Sequence, residues 1–276
     1  MTIKELEKEA VEVRKLLLSV IYKARAGHTG GDLSSVEIMV ALYNQIMHID
    51  PQNTDDPSRD RFILSKGHSV ETYYAILQRN GFISQEELDT YSQPGSMLIG
   101  HPTHKVNGIE MNTGALGHGL PISVGMAIGL KKSHKKSRVF CLMGDGEQAE
   151  GSVWEAAMAA SFYKLNNLVG ILDRNHLQIS GNTENVMAIE PIKEKYQSFG
   201  WHVVEIDGNA MKEVVAALSQ ENTSDKPLMI IAHTIKGKGV KEMENIASWH
   251  HGVPSAELME SATKQLEKRK REIEND

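Results

Sequence analysis

Apolar side chains near the start of the chain recur every three or four residues, with Lys, Glu and Arg between them. This spacing predicts an amphipathic helix over residues 3–24, because it places the apolar side chains on one helical face. The positions are Ile3, Leu6, Ala10, Val13, Leu17 and Ile21. After a glycine-containing loop over residues 27–32, the same period predicts a helix over residues 36–47, capped by Ser34 or Ser35.

Short apolar runs without the helical period predict strands, most of them fully buried. They cover residues 61–64, 138–143, 168–172 and 228–233, with an alternating run at 201–206. Helical patterns fall between or beside them, at residues 69–79, 121–132, 153–163, 192–199 and 211–218. Alternating strands and helices predict an α/β fold, with a central, mostly parallel sheet and helices on both faces.

No repeat, low-complexity segment or linker divides the sequence. We therefore expect a single domain over residues 1–276, ending in a solvated helical tail from about residue 255 with few apolar contacts. Ser84 and Glu87 have the spacing of a capping box before a short helix. Gly125 and Gly129 weaken the helix that contains them, so we expect them to allow close packing against a neighbour.

The formal net charge of −6 and a pI near 6.1 argue against a basic surface for nucleic acid or an anionic membrane. Lys and Glu interrupt the apolar positions of the N-terminus, unlike a signal peptide, and no apolar run approaches a membrane span. We expect a soluble, cytoplasmic protein. The single cysteine, Cys141, excludes an intramolecular disulfide and is expected in the core.

Two predicted strands end in residues with oxygen-bearing side chains. The run 138–143 leads into Gly144-Asp145-Gly146, and Asn175 follows the next strand. In open α/β sheets, ligands bind at this carboxyl edge, where glycines let a phosphate approach the backbone. Asp145 and Asn175 offer the hard oxygens that Mg²⁺ or Ca²⁺ prefers. Gly-Asp-Gly alone is equally typical of a tight, capped turn.

Five of the twelve histidines lie at strand ends or in glycine-rich loops: His28, His68, His101, His118 and His251. A single loop histidine is usually a surface residue, whereas five in the loops that build α/β active sites favour a catalytic role. A zinc site is the rival interpretation. The sequence offers neither thiolate partners nor a helical i,i+4 histidine pair, and His101 with His104 is a weak exception.

Seven segments, in order, resemble the N-terminal, diphosphate-binding half of transketolase, across almost the whole chain. They are AGHTGG (26–31), KGH (66–68), GHPT (100–103), NTGALGHG (112–119), GDGEQAEG (144–151), DRNHLQISG (173–181), and KGKGV with MEN and WHHG (236–252). The resemblance implies a thiamine-diphosphate-binding fold, and a reaction that moves a two-carbon ketol unit from a ketose to an aldose, both expected to be phosphorylated.

The resemblance also implies roles for individual residues. Asp145, Asn175 and the Leu177 carbonyl would bind Mg²⁺ or Ca²⁺, which clamps the diphosphate. His28, His68, His101 and His251 would surround the thiazolium ring and the sugar hydroxyls, as the catalytic set. The residues implied in cofactor binding are His68, Gly114, Leu116, Gly146, Glu150, Asn175 and His251. Glu150 would link two cofactor sites at a subunit interface, although a first-turn acid stabilised by the helix dipole explains it equally.

The chain departs from the family pattern in three places. His118 stands where the family often has Gln, so its role is open. His250 and His251 stand where one histidine is usual, and the role is assigned to His251 because it directly precedes Gly252. Lys241 and Glu242 replace an uncharged and an aromatic residue, so substrate access is expected to differ there.

The family's second domain, which supplies a glutamate to the cofactor's pyrimidine ring, has no counterpart in these segments. The resemblance therefore implies a separately encoded, C-terminal, pyrimidine-binding partner subunit, in an α2β2 heterotetramer active only as a complex. One alternative is another thiamine-diphosphate synthase, such as a 1-deoxyxylulose-5-phosphate synthase-like enzyme. Another is a non-catalytic cofactor-binding module. The sugars stay open.

Overall fold

A five-stranded parallel sheet organises the computed structural model, which describes residues 1–220 and 222–275. Its strands are β1 (Arg61–Leu64), β2 (Val139–Gly144), β3 (Leu168–Arg174), β6 (His202–Asp207) and β7 (Leu228–His233), in the order β1-β2-β3-β7-β6. The short strands β4 (Leu177–Gln178) and β5 (Gly181–Asn182) pair separately. All five strands lie where the apolar runs predict them.

Eleven α-helices lie within the described residues. They are α1 (Ile3–Ala24), α2 (Thr29–Ser34), α3 (Val36–Ala41), α4 (Val70–Arg79), α5 (Gln85–Leu88), α6 (Gly119–Lys132), α7 (Gly151–Phe162), α8 (Thr183–Val186), α9 (Ile192–Ser198), α10 (Met211–Leu218) and α11 (Ala256–Asn275). A π-helical turn, Leu42–Ile46, extends α3. None of the helices described is long and apolar enough to cross a membrane.

Successive residues of the central strands face opposite sides of the sheet and pack into two hydrophobic clusters. Phe140 and Leu142 of β2 join the cluster beneath α1, α3, α4 and α10, while Cys141 and Met143 join the one beneath α6, α7 and α9. Because both faces are covered, β3 is buried along its whole length. The α/β fold with helices on both faces is confirmed, and Cys141 lies in the core as expected.

The first segment of the site differs from its prediction. Residues 29–34 form α2 rather than a loop, and neither serine caps α3 through its side chain. The Ser34 hydroxyl donates instead to the Asp173 carboxylate at 2.6 Å. Tertiary contacts hold this glycine-rich turn: the Gly30 carbonyl accepts from Gly237 N at 3.0 Å, and the Gly31 carbonyl accepts from Lys66 Nζ at 2.8 Å.

Two further expectations on packing are not met within the described chain. The tail helix α11 packs against α1, burying Ala262, Leu266 and Ile273, rather than standing in solvent. Gly125 and Gly129 of α6 make no close packing contact within the described chain, since a Cβ built on either would meet nothing within 4 Å. The capping box before α5 is confirmed, because the Ser84 and Glu87 side chains each accept from the other's backbone N–H.

Candidate active site at the carboxyl edge of the sheet

Asp145 follows the last residue of β2 and turns its carboxylate toward the end of β3. Its Oδ1 accepts from Gly146 N at 2.8 Å, and its Oδ2 accepts from His176 N at 2.6 Å and Arg174 Nη1 at 3.2 Å. The side chain is buried, with 2% of the residue surface exposed. Burial and the Asp173 charge raise the pKa of Asp145 to about 6, against the opposing effect of Arg174. A bound cation would offset that cost.

Asn175 and Leu177 lie beside Asp145. Asn175 Nδ2 donates to Asp173 Oδ2 at 3.2 Å, and its Oδ1 accepts from Leu177 N at 3.2 Å. The Leu177 carbonyl accepts from Lys236 Nζ at 3.3 Å, so a positive charge already lies against it. We call Asp145, Asn175 and the Leu177 carbonyl the oxygen cluster. A carboxylate, an amide and a carbonyl oxygen fit a hard divalent cation.

Asp173, the last acid of β3, binds four segments together. It is fully buried and accepts from Ser34 Oγ at 2.6 Å, from Lys66 Nζ and from Thr234 Oγ1. Burial alone would raise the pKa of Asp173, but the Lys66 ammonium and the hydrogen bonds from Lys66, Ser34 and Thr234 together outweigh burial and lower that pKa. The pair therefore holds the ends of β1 and β3 against α2 as charged groups.

Lys236 brings a second buried ammonium to this edge. It is 2% exposed, and its Nζ donates to His250 Nδ1 at 3.1 Å as well as to Leu177. Burial and the nearby Lys66 charge lower the pKa of Lys236 to about 8. Two cations next to the oxygen cluster suit an anionic ligand such as a diphosphate.

Glu147 connects the Gly-Asp-Gly turn to the glycine-rich loop before α6. One carboxylate oxygen accepts from Gly144 N at 3.0 Å, and the other accepts from Gly117 N at 2.8 Å and from the Ser65 hydroxyl. Glu147 is buried, and burial raises its pKa against these hydrogen bonds. It fixes the relative position of three segments.

Five histidines meet above this edge, with His28 at their centre. Ring centroids lie 4.8 Å from His28 for His251, 5.4 Å for His68, 5.9 Å for His250 and 6.1 Å for His101. We call these five residues the histidine cluster. It includes His28, His68, His101 and His251, the implied catalytic set, and it also includes His250, which stacks on His68 at 5.1 Å.

Backbone and side-chain hydrogen bonds bring these distant segments together. The Thr29 hydroxyl donates to the Gly252 carbonyl at 2.6 Å, which holds the 250–252 loop against α2. The Tyr74 hydroxyl of α4 donates to the carbonyls of Ile99 at 2.8 Å and His101 at 3.3 Å. The histidine positions are therefore fixed by neighbours outside the cluster.

The environment keeps most of these imidazoles neutral at pH 7. Burial, reinforced by the other histidines and Lys236, lowers the pKa of His28 to about 4. Burial and Lys236 lower the pKa of His250 to about 3. Burial also lowers the pKa of His68 and of His101. A neutral imidazole carries one donor and one acceptor, so it can orient a hydroxyl and exchange a proton with it.

The loop carrying Gly114 passes close to the KGH segment. A Cβ on Gly67 would lie 2.7 Å from Gly114 N, and a Cβ on Gly114 would lie 2.5 Å from the His101 ring. Gly114 also has a φ of 131°, which side chains rarely adopt. Leu116 is half-buried, and its carbonyl lies 3.1 Å from its neighbour His118 Nδ1.

Three sequence-derived residues lie apart from this convergence. His118 is exposed, and no ring contact with the histidine cluster is observed within the described residues. Glu150 is exposed at the N-cap of α7, where its side chain makes no capping hydrogen bond, so its interface role stays a prediction. The Glu242 carboxylate accepts from Ser261 Oγ and Gln265 Nε2 of α11, which turns it away from the histidines.

Sequence reasoning did not single out several residues that the structure places here, namely Lys66, Glu147, Asp173 and Lys236, and it assigned no role to His250. The lysines stand inside KGH and KGKGV, and Asp173 begins DRNHLQISG, so the segments were recognised but not these side chains. A charged residue inside an otherwise apolar or glycine-rich strand end was the signal. Such residues are rarely buried without a partner.

Residues 6–271 match the family described as "Transketolase, thiamine diphosphate binding domain". The chain belongs to the transketolase family. This match confirms the resemblance carried by the seven segments, and it identifies the chain as containing the thiamine-diphosphate-binding domain of that family.

Two curated relatives match along almost their full length. The chain is 50% identical over 277 residues to an apulose-4-phosphate transketolase subunit of Phocaeicola vulgatus, covering 100% of this chain and 99% of that protein. It is 41% identical over 266 residues to the 6-deoxy-6-sulfo-D-fructose transketolase subunit SqwG of Clostridium sp., covering 96% of this chain and 97% of that protein. Both relatives are named as transketolase subunits.

Among solved structures, the transketolase of Campylobacter jejuni superposes with a TM-score of 0.86 at 28% identity, covering 100% of this chain. The match covers 48% of that protein, so this chain spans about half the length of the solved transketolase. The thiamine-diphosphate-binding fold expected from the resemblance is thereby confirmed.

Proposed function

We propose that this chain is the diphosphate-binding subunit of a two-subunit transketolase, which moves a two-carbon ketol unit from a ketose phosphate to an aldose phosphate. The observation that carries the proposal is the convergence of the oxygen cluster and the histidine cluster at one sheet edge. The names of the relatives, subunits of transketolases, support the same function.

In this proposal the oxygen cluster holds Mg²⁺, or Ca²⁺, through the Asp145 carboxylate, the Asn175 amide oxygen and the Leu177 carbonyl. The Gly146 N–H, Lys66 and Lys236 would stabilise the negative charge of the bound diphosphate. Gly114 and Leu116 line the neighbouring loop. Asp145 is the only charged member of the three, so its substitution would remove the negative charge that the cation requires.

The histidine cluster acts on the sugar. Thiamine diphosphate supplies the electron sink for cleavage of the C2–C3 bond. His28, His68, His101 and His251 orient the donor's hydroxyls and move protons to and from them, because an imidazole ring can both donate and accept a hydrogen bond. His250, held by Lys236, stacks on His68 and limits how far that ring can turn.

The proposal includes a separately encoded partner subunit that supplies the pyrimidine-binding half, in an α2β2 assembly. Solved transketolases of about twice this length, and full-length relatives that are themselves named as subunits, support it. Helix α7 exposes two apolar side chains to solvent, since Met158 is 59% exposed and Phe162 78%. On α6, Gly125 has open space beside it. Exposed apolar surface of this kind is typical of protein interfaces.

The test is reconstitution of the chain with its partner subunit, thiamine diphosphate and Mg²⁺, followed by assay of a panel of ketose donors. The panel contains xylulose 5-phosphate, fructose 6-phosphate, apulose 4-phosphate and 6-deoxy-6-sulfofructose. We expect ketol transfer from at least one donor by the complex, and none by either of the two chains when it is assayed separately.

Three results would contradict the proposal. Full activity of this chain alone would remove the need for a partner. Cofactor binding without turnover of any donor would favour a non-catalytic module. Pyruvate consumption with release of carbon dioxide would favour a 1-deoxyxylulose-5-phosphate synthase-like enzyme, an alternative that the named relatives do not favour.

A further inference from the structure

Two carboxyl groups lie fully buried behind the histidine cluster, and the proposed reaction makes no direct use of them. Asp32 belongs to α2 and Glu71 to α4, and each has 0% of its surface exposed. Asp32 stands four residues after His28, and Glu71 stands three residues after His68. Each acid therefore lies about one helical turn beyond a histidine of the site.

Donors account for only part of the hydrogen-bonding capacity of these acids. Asp32 Oδ1 accepts from Thr72 N at 2.8 Å, and Glu71 Oε1 accepts from the Tyr91 hydroxyl at 2.6 Å. The backbone just before His28 also approaches the Glu71 carboxyl, since a Cβ on Gly27 would lie 3.0 Å from Glu71 Oε1. Asp32 Oδ2 and Glu71 Oε2 have no hydrogen-bond partner among the described residues.

The two carboxyl groups are neighbours, because Thr72, which directly follows Glu71, donates its N–H to Asp32 Oδ1 at 2.8 Å and its hydroxyl to the Asp32 carbonyl at 3.0 Å. Two ionised carboxylates at that separation in a buried site would repel each other, and two unpaired acceptors would be left without water. One proton between them converts the repulsion into an O–H···O⁻ hydrogen bond, which is short and strong because it is charge-assisted. A shared proton therefore satisfies both remaining oxygens at once.

We propose that Asp32 and Glu71 share one proton at neutral pH, and that this bond fixes the spacing of the His28 and His68 rings. Both acids are then positioning residues for the reaction, because the bond joins the segment that carries one histidine to the segment that carries the other. The catalytic part of this inference rests on the proposed transketolase function, whereas the shared proton does not.

The surroundings place the proton on Asp32. Burial, followed by the Glu71 charge, raises the pKa of Asp32 well above its usual range. Burial also raises the pKa of Glu71, but hydrogen bonds from Asp32 and Tyr91 oppose that rise. The negative charge thus stays on Glu71, beside the backbone that leads into His28.

The His28 and His68 ring centroids lie 5.4 Å apart, and the substrate hydroxyls must fit between donors placed at that separation. A displacement of about 1 Å in an active site can reduce the rate roughly 100-fold. An interaction that holds the two backbones together therefore affects turnover without touching the substrate. It leaves the metal-binding oxygens of the oxygen cluster in place, so cofactor affinity should change far less than turnover.

The test compares Asp32→Ala, Asp32→Asn and Glu71→Gln in the reconstituted complex. An Asn side chain keeps an acceptor for Thr72 and an N–H donor for Glu71, so it imitates protonated Asp32. We expect Asp32→Ala and Glu71→Gln to lower kcat roughly 10- to 100-fold, with a change in cofactor Kd of less than about threefold. Asp32→Asn should restore most of the kcat that Asp32→Ala loses. Glu86→Gln, an exposed acid of α5, is the matched control.

A second measurement tests the proton on the full chain without any assay of turnover. The infrared difference spectrum between the unaltered chain and Asp32→Asn, recorded at neutral pH, should contain a carboxylic-acid carbonyl band that belongs to the unaltered chain. In NMR spectra, the chemical shifts of the His28 and His68 rings should change in Glu71→Gln and stay the same in Asp32→Asn. Because these readouts need no ketose, they separate failure of this inference from failure of the proposed function.

Absence of the infrared band at neutral pH would overturn the shared proton, whatever the activity. A kcat in Asp32→Asn as low as in Asp32→Ala would overturn the assignment of the proton to Asp32. Wild-type kcat in Glu71→Gln would show that the pair does not position the histidines. If Glu71→Gln fails to fold, the Asp32→Asn rescue and the infrared band still decide.

Discussion

The oxygen cluster and the histidine cluster share one sheet edge, yet their hydrogen bonding differs. Both carboxylate oxygens of Asp145 accept from backbone or side-chain donors, and the Asn175 amide is occupied on both sides. By contrast, His28 Nδ1 is buried without a partner among the described residues, and its ring mainly meets other rings. The side chains of the first cluster are held in position before a ligand arrives, whereas the second cluster contains a ring nitrogen with no partner in the part of the chain that the structure describes.

This difference separates two kinds of work. A preorganised set of oxygens suits a cation and a diphosphate that stay in place through many turnovers. Neutral imidazoles with unused donors and acceptors suit a sugar that enters, reacts and leaves. If that division holds, substitutions in one cluster should change cofactor affinity and substitutions in the other should change turnover.

The largest expected effect comes from Asp145→Ala, which removes the only charged member of the oxygen cluster. We expect Mg²⁺-dependent affinity for thiamine diphosphate to fall by more than about 100-fold, beyond the range for outer-shell partners of a metal site. Titration calorimetry of the complex measures it. The fold should persist, because Arg174 keeps Glu184 and Glu190 as partners.

Asp207→Ala is the matched control for that experiment, since Asp207 is an exposed acid at the carboxyl end of β6 on the same sheet edge. Its cofactor affinity should equal that of the unaltered chain. An unchanged affinity in Asp145→Ala would refute the clamp, and with it the contrast between the two clusters.

A smaller effect is expected from His28→Ala, which removes the central ring of the histidine cluster. In the reconstituted complex kcat should fall roughly 10- to 100-fold, in line with the loss of one group that transfers protons. Cofactor affinity should change less than about threefold, because the oxygen cluster is intact. His118→Ala, the same change in an exposed ring, should alter neither quantity. Equal losses in both variants would break the proposed division.

The smallest effect concerns stability as the pH falls. The pKa of His28 is about 4 in the folded chain against 6.5 as its reference value, so between these values the unfolded chain binds a proton that the folded chain does not. The free energy of unfolding should therefore decrease as pH falls from about 6.5 toward 4, by less than about 1.4 kcal/mol per pH unit for this group.

Urea unfolding of the full chain at pH 7, 6 and 5 measures this dependence. The free energy of unfolding should fall less steeply with decreasing pH in His28→Ala than in the unaltered chain, because the variant lacks the histidine that binds a proton only in the unfolded state. An equal pH dependence in the two chains would mean that the pKa of His28 is the same in the folded and unfolded states. Burial would then not hold the ring neutral.

Periodicity alone located the sheet, because each central strand is a run of apolar residues and each covering helix has apolar residues along one face. It failed at α2, whose Gly30 and Gly31 have poor helix propensity and depend on contacts from Lys66 and Gly237. It failed again at α11, where only three widely spaced apolar residues are buried in a strongly charged helix. Both failures are tertiary effects, which local patterns do not contain.

The residues of the site also divide into those that the sequence predicts and those that only the structure reveals. Asp145 and Asn175 were predictable because each directly follows a strand, so the fold alone brings them together. The implied histidines rested on family motifs, and the choice between His250 and His251 was not accessible from spacing, since both rings meet His28. Lys66, Lys236 and Asp173 matter through burial and pairing, which only the assembled structure contains.

The contact between Gly67 and Gly114 bears on how motifs such as KGH are recognised in other sequences. The central glycine is held there by the backbone of another loop, since a methyl group on it would fall 2.7 Å from Gly114 N. Its presence therefore records a steric limit between two loops, independent of any chemistry at His68. A chain could keep this glycine after losing catalysis, so intact motif glycines are weaker indicators of activity than the imidazoles beside them.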